Sequence, residues 1–428
     1  MSTPLARARM LRQHRRHEEA VAMLHSHLAH FPDDPAAFIE LALNRMEIPG
    51  AKTLALEDAR TSAGLMPDSG FPLALQSRIL SSLDREKEAL PLADSALQMD
   101  PEDVYAWNSK TLALCGLHQW KEAEESARQA LSLDPDDESA SNLLAHVLRL
   151  QNKLDESEQE SLRRLARDPE NAFSFANSGW AALQRQQVKE AEKHFLEALR
   201  LDPEMEHAKE GLKETYRARS AFYRLFLRWA FFMQRFNQKN RTFILIGLVI
   251  GFRIVRNLAA AVHPMLVIPV VLVYYVFLFG TWLSGGLANF LIMKDPVARH
   301  SLDRGEKIEG VVIGSFFLGG LLLLIGGVVA GLFPLAVAGA TLMIAAIPAT
   351  MVFTNETTLG RMVFGACMLA ILSLGTFVAL DLANHPGQQI GKGGSGPAMS
   401  FAVLIALGTT WLSMVPALRK GKADPEER

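Results

Sequence analysis

The sequence predicts an all-α protein, with an N-terminal helical-repeat superhelix followed by a multi-span helical membrane domain. Three observations carry this. A proline recurs at Pro67, Pro101, Pro135, Pro169 and Pro203, each 34 residues after the last. Six apolar runs of about 20 residues fill the C-terminal half, each long enough to cross a hydrocarbon core. Charge is also segregated along the 428-residue chain: residues 1–203 carry a net charge of −10, and residues 215–241 hold seven basic residues and no acidic ones. An acidic half, a basic collar and an apolar half describe a membrane-anchored protein. The acidic half argues against nucleic acid as a partner, because nucleic acid needs a basic footprint.

The chain opens MSTPLARARMLRQHRRH, which is rich in Arg and free of acids until Glu18. A mitochondrial transit peptide has that composition, but the same residues fit the first repeat helix. No apolar stretch opens the chain, so no secretory signal peptide is expected. Cys115 and Cys367 lie in different halves, which argues against a disulfide framework and suits a reducing compartment for the repeat half.

Asp precedes four of the periodic prolines, as Asp100, Asp134, Asp168 and Asp202. Window 104–137 reads VYAWNSKTLALCGLHQWKEAEESARQALSLDPDD, with Trp107 at a large aromatic site, Ala123 and Ala130 at small sites, and Pro135 closing it. Window 172–205 places Gly179 at a tight helix crossing, then Ala191, Phe195, Ala198 and Pro203. Small residues are needed where two helix axes come close, and a proline suits the position after a helix end. Windows from Ala36 and Gly70 keep Ala55 and Ala89, and residues 1–34 keep Glu18, Glu19 and Ala20, with Pro32 out of phase. The window from Glu138 has Ser157 and Arg164 at the small sites, which predicts looser packing there. These positions in phase resemble the tetratricopeptide repeat, a family of antiparallel helix pairs, over residues 1–205.

The resemblance implies a superhelix whose concave groove is lined by first helices and binds a protein or peptide partner. By analogy the lining would include Phe71, Arg78, Tyr105, Asn108, Asn142, His146, Phe173 and Trp180. Some family members grip a terminal carboxylate with Lys and Asn. Asn108 and Asn142 share one repeat position here, but the matching lysines are missing.

Residues 206–241 form the next element. Residues 204–216 read as a polar helix that caps the solenoid. Beyond it, Phe222, Leu225, Phe226, Trp229, Phe232, Met233 and Phe236 recur at helical spacing, with Arg224, Arg228 and Arg235 on another face. A basic, aromatic helix beside a membrane span reads as interfacial, with Arg224, Arg228, Trp229 and Arg235 at the lipid surface. The alternative is that its apolar face packs on protein.

Residues 242–428 form the membrane domain, with candidate spans at 242–262, 265–293, 309–330, 332–353, 359–382 and 398–418. Arg253 and Arg256 lie within the first, as a deep anion or lipid-headgroup site, as a pair with Asp381, or as side chains that snorkel to the outer interface. Lys294, Arg299, Arg304, Lys307, Arg361 and the tail Arg419, Lys420 and Lys422 alternate with nearly uncharged loops. This pattern puts both termini in the cytosol of a multi-pass protein in a bacterial-type plasma membrane. Trp282 and Trp411 suit the interface. Glycines 310, 314, 319, 320, 326, 327 and 331 give the third span small-xxx-small spacing, for bundle packing or for a homo-oligomer.

No motif for catalysis, cofactor or metal is found. Gly391-Lys392-Gly393-Gly394-Ser395-Gly396 matches G-x-G-x-x-G but joins two spans, so it reads as a flexible loop. His300 is a lone loop histidine. The expected function is a scaffold that holds partner proteins at the cytosolic face of a membrane. The rival is a channel, transporter or membrane enzyme regulated by the arm. A polar cavity among the spans would favour the rival, and a dry glycine-packed bundle the scaffold.

Overall fold

The computed structural model describes residues 3–236, 238–263, 283–294, 298–355, 357–385 and 395–412, with residues 270, 280 and 418. Every element among them is helical, as the sequence predicts. The chain divides into two compact units, one of Met1–Ala208 and Phe231–Thr242, the other of Lys209–Ala230 and Phe243–Arg428.

The first unit begins with six antiparallel helix pairs. These are α1 (Pro4–Gln13) with α2 (His17–Leu28), α3 (Pro35–Arg45) with α4 (Lys52–Leu65), α5 (Phe71–Ser82) with α6 (Glu86–Met99), α7 (Val104–Gly116) with α8 (Trp120–Leu133), α9 (Glu138–Leu150) with α10 (Leu154–Arg167), and α11 (Ala172–Gln184) with α12 (Val188–Leu201). First helices stack on their successors: α1 on α3, α5 on α7, α7 on α9 and α9 on α11.

The 34-residue rhythm has three local causes. First, each Asp of the Asp-Pro steps folds its carboxylate back onto the backbone. Asp100, Asp134, Asp168 and Asp202 accept from the N–H two residues on at 2.9–3.2 Å, and the intervening proline needs no partner for its missing N–H. Second, Asp103, Asp137 and Asn171 cap the helices that follow, accepting from Tyr105, Ala140 and Ser174 N–H. Third, the turn inside each pair holds one left-handed residue. These are Gly50, Asp84, His118, Asn152 and Gln186, 34 residues apart, with Arg15 one residue out of step. Only glycine adopts that conformation without a steric cost, so four of these five turns carry strain.

The predicted small sites are fully buried at Ala55, Ala89, Ala123, Ala130, Ala191 and Ala198. A Cβ on Gly179 would lie 2.8 Å from the buried Phe195 ring. In the window from Glu138, Ser157 is fully buried and its hydroxyl donates to Ala145 O at 2.7 Å, while Arg164 is half-buried and α10 buries only Ser157 and Ser161.

In the second unit the polar helix α13 (Glu206–Arg217) packs Leu212 and Tyr216 against Ile292, Ala298 and Leu302. α14 (Ala221–Gln234), α15 (Gln238–Val262) and α16 (Leu283–Ile292) follow in the chain. Then come α17 (Arg304–Val329), with a π-helical turn at Ser315–Gly319, α18 (Phe333–Thr354) and α19 (Thr358–Asn384). The last described helix is α20 (Ser395–Leu412). Among the described residues, α17, α18 and α19 are long and apolar enough to cross a membrane. They match the third, fourth and fifth expected spans to within a few residues. The first expected span lies within α15 and most of the sixth within α20.

Glycines set the contacts of α17. A Cβ on Gly320 would lie 2.7 Å from Gly339 O of α18, and one on Gly310 would lie 2.9 Å from Phe290 N of α16. Gly314 faces the Phe290 ring, Gly327 the Ala336 backbone, and Gly331 turns the chain with φ +70°. Gly319 and Gly326 face open space.

Most of the second expected span, Trp282, Glu356, the 391–394 glycine stretch and residues 419–428 lie outside the described residues, as do the side chains of Phe222, His300 and Trp411.

Candidate functional site

Two cavities adjoin in the repeat unit. The larger, about 1050 Å³, draws residues from every first helix: Arg12, Leu43, Arg78, Tyr105, Asn108, Ser139 and Phe173 among them. The smaller, about 380 Å³, is lined by Leu112, Glu138, Asn142, Leu143, His146, Asn177 and His207. Arg78, Ser139 and Phe173 belong to both. Of the eight residues expected to line a groove, six do so: Arg78, Tyr105, Asn108, Phe173, Asn142 and His146.

The other two lie outside the cavity linings. Phe71 tilts against Tyr105 at 4.9 Å and packs into the core beneath it, because it opens α5 facing α7. Trp180 sits behind the small cavity. Its indole stacks on His207 at 5.4 Å, lies edge-on to Phe195 and donates Nε1–H to His207 O at 3.2 Å. Both hold the walls in place rather than form them.

The larger cavity was only partly visible in the sequence. Part of its remaining wall comes from the two ends of the stack, with Arg12, Arg15 and His17 on one side and Asp202 and Glu204, just after α12, on the other. Arg15 Nη2 lies 2.9 Å from Asp202 Oδ2, joining residues 187 apart in the chain. This contact holds the Arg15 guanidinium even more firmly protonated than usual, first through its hydrogen bond to Asp202. Asp137 serves both as the α9 cap and as acceptor from Asn108 Nδ2 at 2.8 Å, which fixes the amide at the cavity wall.

Behind the small cavity lies a buried cation. Arg149 is 4% exposed, its guanidinium is 5.6 Å from the Trp180 ring centroid, and Nη2 is 3.4 Å from His146 Nδ1. Burial lowers its pKa to about 10, and burial followed by Arg149 lowers that of His207 to about 4. His146 is driven well below the usual range, first by burial and then by Arg149. Both imidazoles are therefore neutral near pH 7.

The basic collar differs from the expected exposed stripe. Arg235 donates to Asn152 Oδ1 at 2.5 Å, and its carbonyl accepts from Trp120 Nε1 at 2.9 Å, so it is held by repeat turns rather than offered to lipid. Phe231 packs edge-on to Trp180. Within the second unit Phe226 is buried, while Leu225 and Arg228 are exposed, Trp229 is half-buried and Arg224 reaches Ala218 O at 3.4 Å. Arg253 and Arg256 are exposed on α15, and Arg256 donates to its neighbour Asn257.

One cluster escaped the sequence reading. Arg217 donates to Glu214, to Glu306 at 3.1 Å and to Asn289 at 2.9 Å, while Asn289 donates to Glu309 at 3.2 Å. Burial pulls the Arg217 pKa down, but Glu214 and Glu306 more than offset this and hold it charged. Glu306 also closes the capping box of α17 with Asp303. Hydropathy averaging hid Glu309, buried at the head of the third expected span.

The Tetratricopeptide repeat family profile matches residues 112–172. The repeat unit is built of tetratricopeptide repeats. Several solved structures are similar to this tetratricopeptide arm in fold. A thermophilic tetratricopeptide-repeat protein of Thermus thermophilus is 23% identical, covering 42% of this chain and 97% of its own, with a TM-score of 0.40. One from Parabacteroides merdae is 18% identical over 50% of this chain and 82% of its own, with a TM-score of 0.44. YrrB, described as having an unusual peptide-binding site, is 19% identical over 44% of this chain and 97% of its own, with a TM-score of 0.31. No curated protein matches the chain.

Proposed function

We propose that this protein is a membrane-anchored scaffold whose tetratricopeptide arm seats an extended segment of a partner protein. The observation that carries this is the pair of adjoining cavities, to which every first helix contributes. An extended segment suits them because a groove of stacked first helices offers side-chain pockets along its length. Phe173 is half exposed between the two cavities and shared by both, so it is the natural apolar anchor.

The domain plan consists of the arm over 1–205, a capping and interfacial segment over 206–241, and a membrane domain of six spans over 242–428. Both termini lie in the cytosol of a bacterial-type plasma membrane. Arg224, Arg228 and Trp229 face the lipid headgroups, and the exposed Leu225 beside them supports that placement. The close glycine contacts of α17 with α16 and α18 support a packed anchor rather than a channel or transporter. Gly319 and Gly326 leave a stripe of α17 for a second copy of the chain.

Selection of random dodecapeptides on the full chain in lipid nanodiscs tests the groove. Enriched peptides are expected to bind about tenfold more weakly to Phe173→Ala, since truncating a buried anchor costs more than ~1 kcal/mol. No enrichment over empty nanodiscs would sink the reading. Reporter fusions placed at residues 387–396 and after Arg428 test the topology, and a cytosolic signal from the former would exclude six spans.

A further inference from the structure

We propose that residues 231–236, at and just beyond the end of α14, form a strap whose docking on the repeat arm tightens the small cavity around its occupant. This deepens the proposed function and rests on it.

The softest junction of the arm is its fifth pair. Solenoid stability is a sum of nearest-neighbour interfaces, so the stack yields first where least apolar surface is buried. α8 buries Ala123, Ala127, Ala130 and Leu131, and α12 buries Ala191, Phe195 and Ala198. α10 buries Ser157 and Ser161 instead, and its Leu162 is 55% exposed. Ion pairs join α10 to its neighbours, Arg128 with Glu156 at 3.1 Å and Arg185 with Asp155 at 2.6 Å, and pairs with exposed partners hold weakly. The small cavity lies across this junction. Glu138, Asn142 and His146 reach it from α9, and Phe173 and Asn177 from α11. Its width therefore follows the seating of the fifth pair against the sixth.

The strap crosses the same junction. Phe231 is 4% exposed and lies edge-on to Trp180 of α11, with ring centroids 6.4 Å apart. Four residues on, Arg235 donates at 2.5 Å to Asn152 Oδ1, in the left-handed turn between α9 and α10. Its carbonyl accepts at 2.9 Å from Trp120 Nε1, at the start of α8. Two strap residues thus hold the fourth, fifth and sixth pairs together. Asn152 Oδ1 also accepts from Gln184 Nε2 of α11 at 3.2 Å, so one amide oxygen serves both the strap and the sixth pair. Trp180 carries the contact inward. It stacks on His207 and lies beneath the Arg149 guanidinium, which reaches His146, and both histidines line the cavity. The seat is also incomplete, because Arg235 Nε is buried without an acceptor among the described residues. A buried donor left unmet costs free energy, which keeps docking marginal enough for an occupant to shift it.

The test measures docking and binding on the full chain in lipid nanodiscs. The Trp120 indole N–H reports docking, since it is freed for exchange with water when Arg235 O leaves it. Its NMR signal is identified by its loss in Trp120→Phe. Trp120 lines neither cavity, so an occupant does not shield it directly. The binding probes are dodecapeptides enriched on the wild-type chain. Coupling is reciprocal, so a saturating peptide should slow Trp120 N–H exchange by the factor by which Phe231→Ala weakens that peptide, roughly tenfold. Arg235→Ala should weaken it in the same direction. The wild-type exchange measurement stands even if either variant fails to fold. Unchanged or faster exchange with peptide bound would overturn the proposal and leave the groove reading intact, as would wild-type affinity in both variants. No enrichment over empty nanodiscs would remove the groove reading and the strap with it.

Discussion

Each unit places glycine at a close helix crossing, and two of these crossings, one in each unit, oppose it with different atoms. In the arm, Gly179 faces the side-chain ring of Phe195. In the second unit, Gly320 and Gly339 each face the other helix's backbone. In water, burying a large apolar side chain drives association, so the small residue makes room for a ring. Among lipid tails a leucine gains little by leaving the solvent, and helices gain instead by bringing their backbones together. The contrast belongs to these two crossings: elsewhere in the second unit Gly314 faces the Phe290 ring, Gly286 the Ile313 side chain and Gly375 the Thr341 side chain.

That contrast can be broken most directly at Gly339. A leucine there has only backbone to displace, so Gly339→Leu should cost more than the ~1–3 kcal/mol usual for overpacking and abolish the protease-resistant core in detergent. A wild-type digestion pattern would refute the backbone-contact account of the spans. Gly179→Leu opposes a ring instead, which can shift at the expense of its neighbours. It should cost roughly 1–3 kcal/mol in urea unfolding of the arm and leave the spans' protease resistance unchanged. If both substitutions cost the same, the distinction between the two crossings falls.

Acid sharpens the arm's side of the comparison. His207 titrates near pH 4 when folded and near 6.5 when unfolded, so the stability it contributes is complete above pH 6.5 and declines as pH falls toward 4. Between pH 6.5 and 5 the loss should be about 2 kcal/mol, at 1.36 kcal/mol per unit. Comparing Tm of the wild type and His207→Gln at both pH values checks it, and an unchanged pH slope in the variant would contradict the burial argument. The smallest effect concerns the strained turns. Gln186→Gly relieves a left-handed glutamine and should add about 1 kcal/mol or less, since the relief of ~1–2 kcal/mol is partly offset by the entropy of a new glycine. A loss of stability in urea unfolding would mean the Gln186 side chain matters more than its backbone.

Much of the arm was legible because its signals repeat. Asp-Pro steps and buried alanines recur every 34 residues, and the resemblance they carry named six residues that line the two cavities. The left-handed turn positions were not legible, because Gly50, Asp84, His118, Asn152 and Gln186 share a backbone angle but no side-chain chemistry. Adding multiples of 34 to Gly50 would have found them. Arg12, Arg15, Asp202 and Glu204 escaped because they meet only after five intervening stackings. Arg235 was misplaced because a helical wheel shows which face is basic but not that Asn152 and Trp120 would cover it.

Arg15 and Asp202 have one further consequence, for how this arm can change its length. Solenoids ordinarily gain or lose units by duplication and deletion, with only the neighbouring interface at stake. Here the first and last pairs share one cavity wall, and a guanidinium–carboxylate contact joins their turns. An inserted 34-residue unit would preserve every nearest-neighbour packing and still pull Arg15 away from Asp202, splitting the larger cavity. Copy number is thus part of the site's specification, and variants that differ by one repeat would be expected to stay folded while losing the occupant.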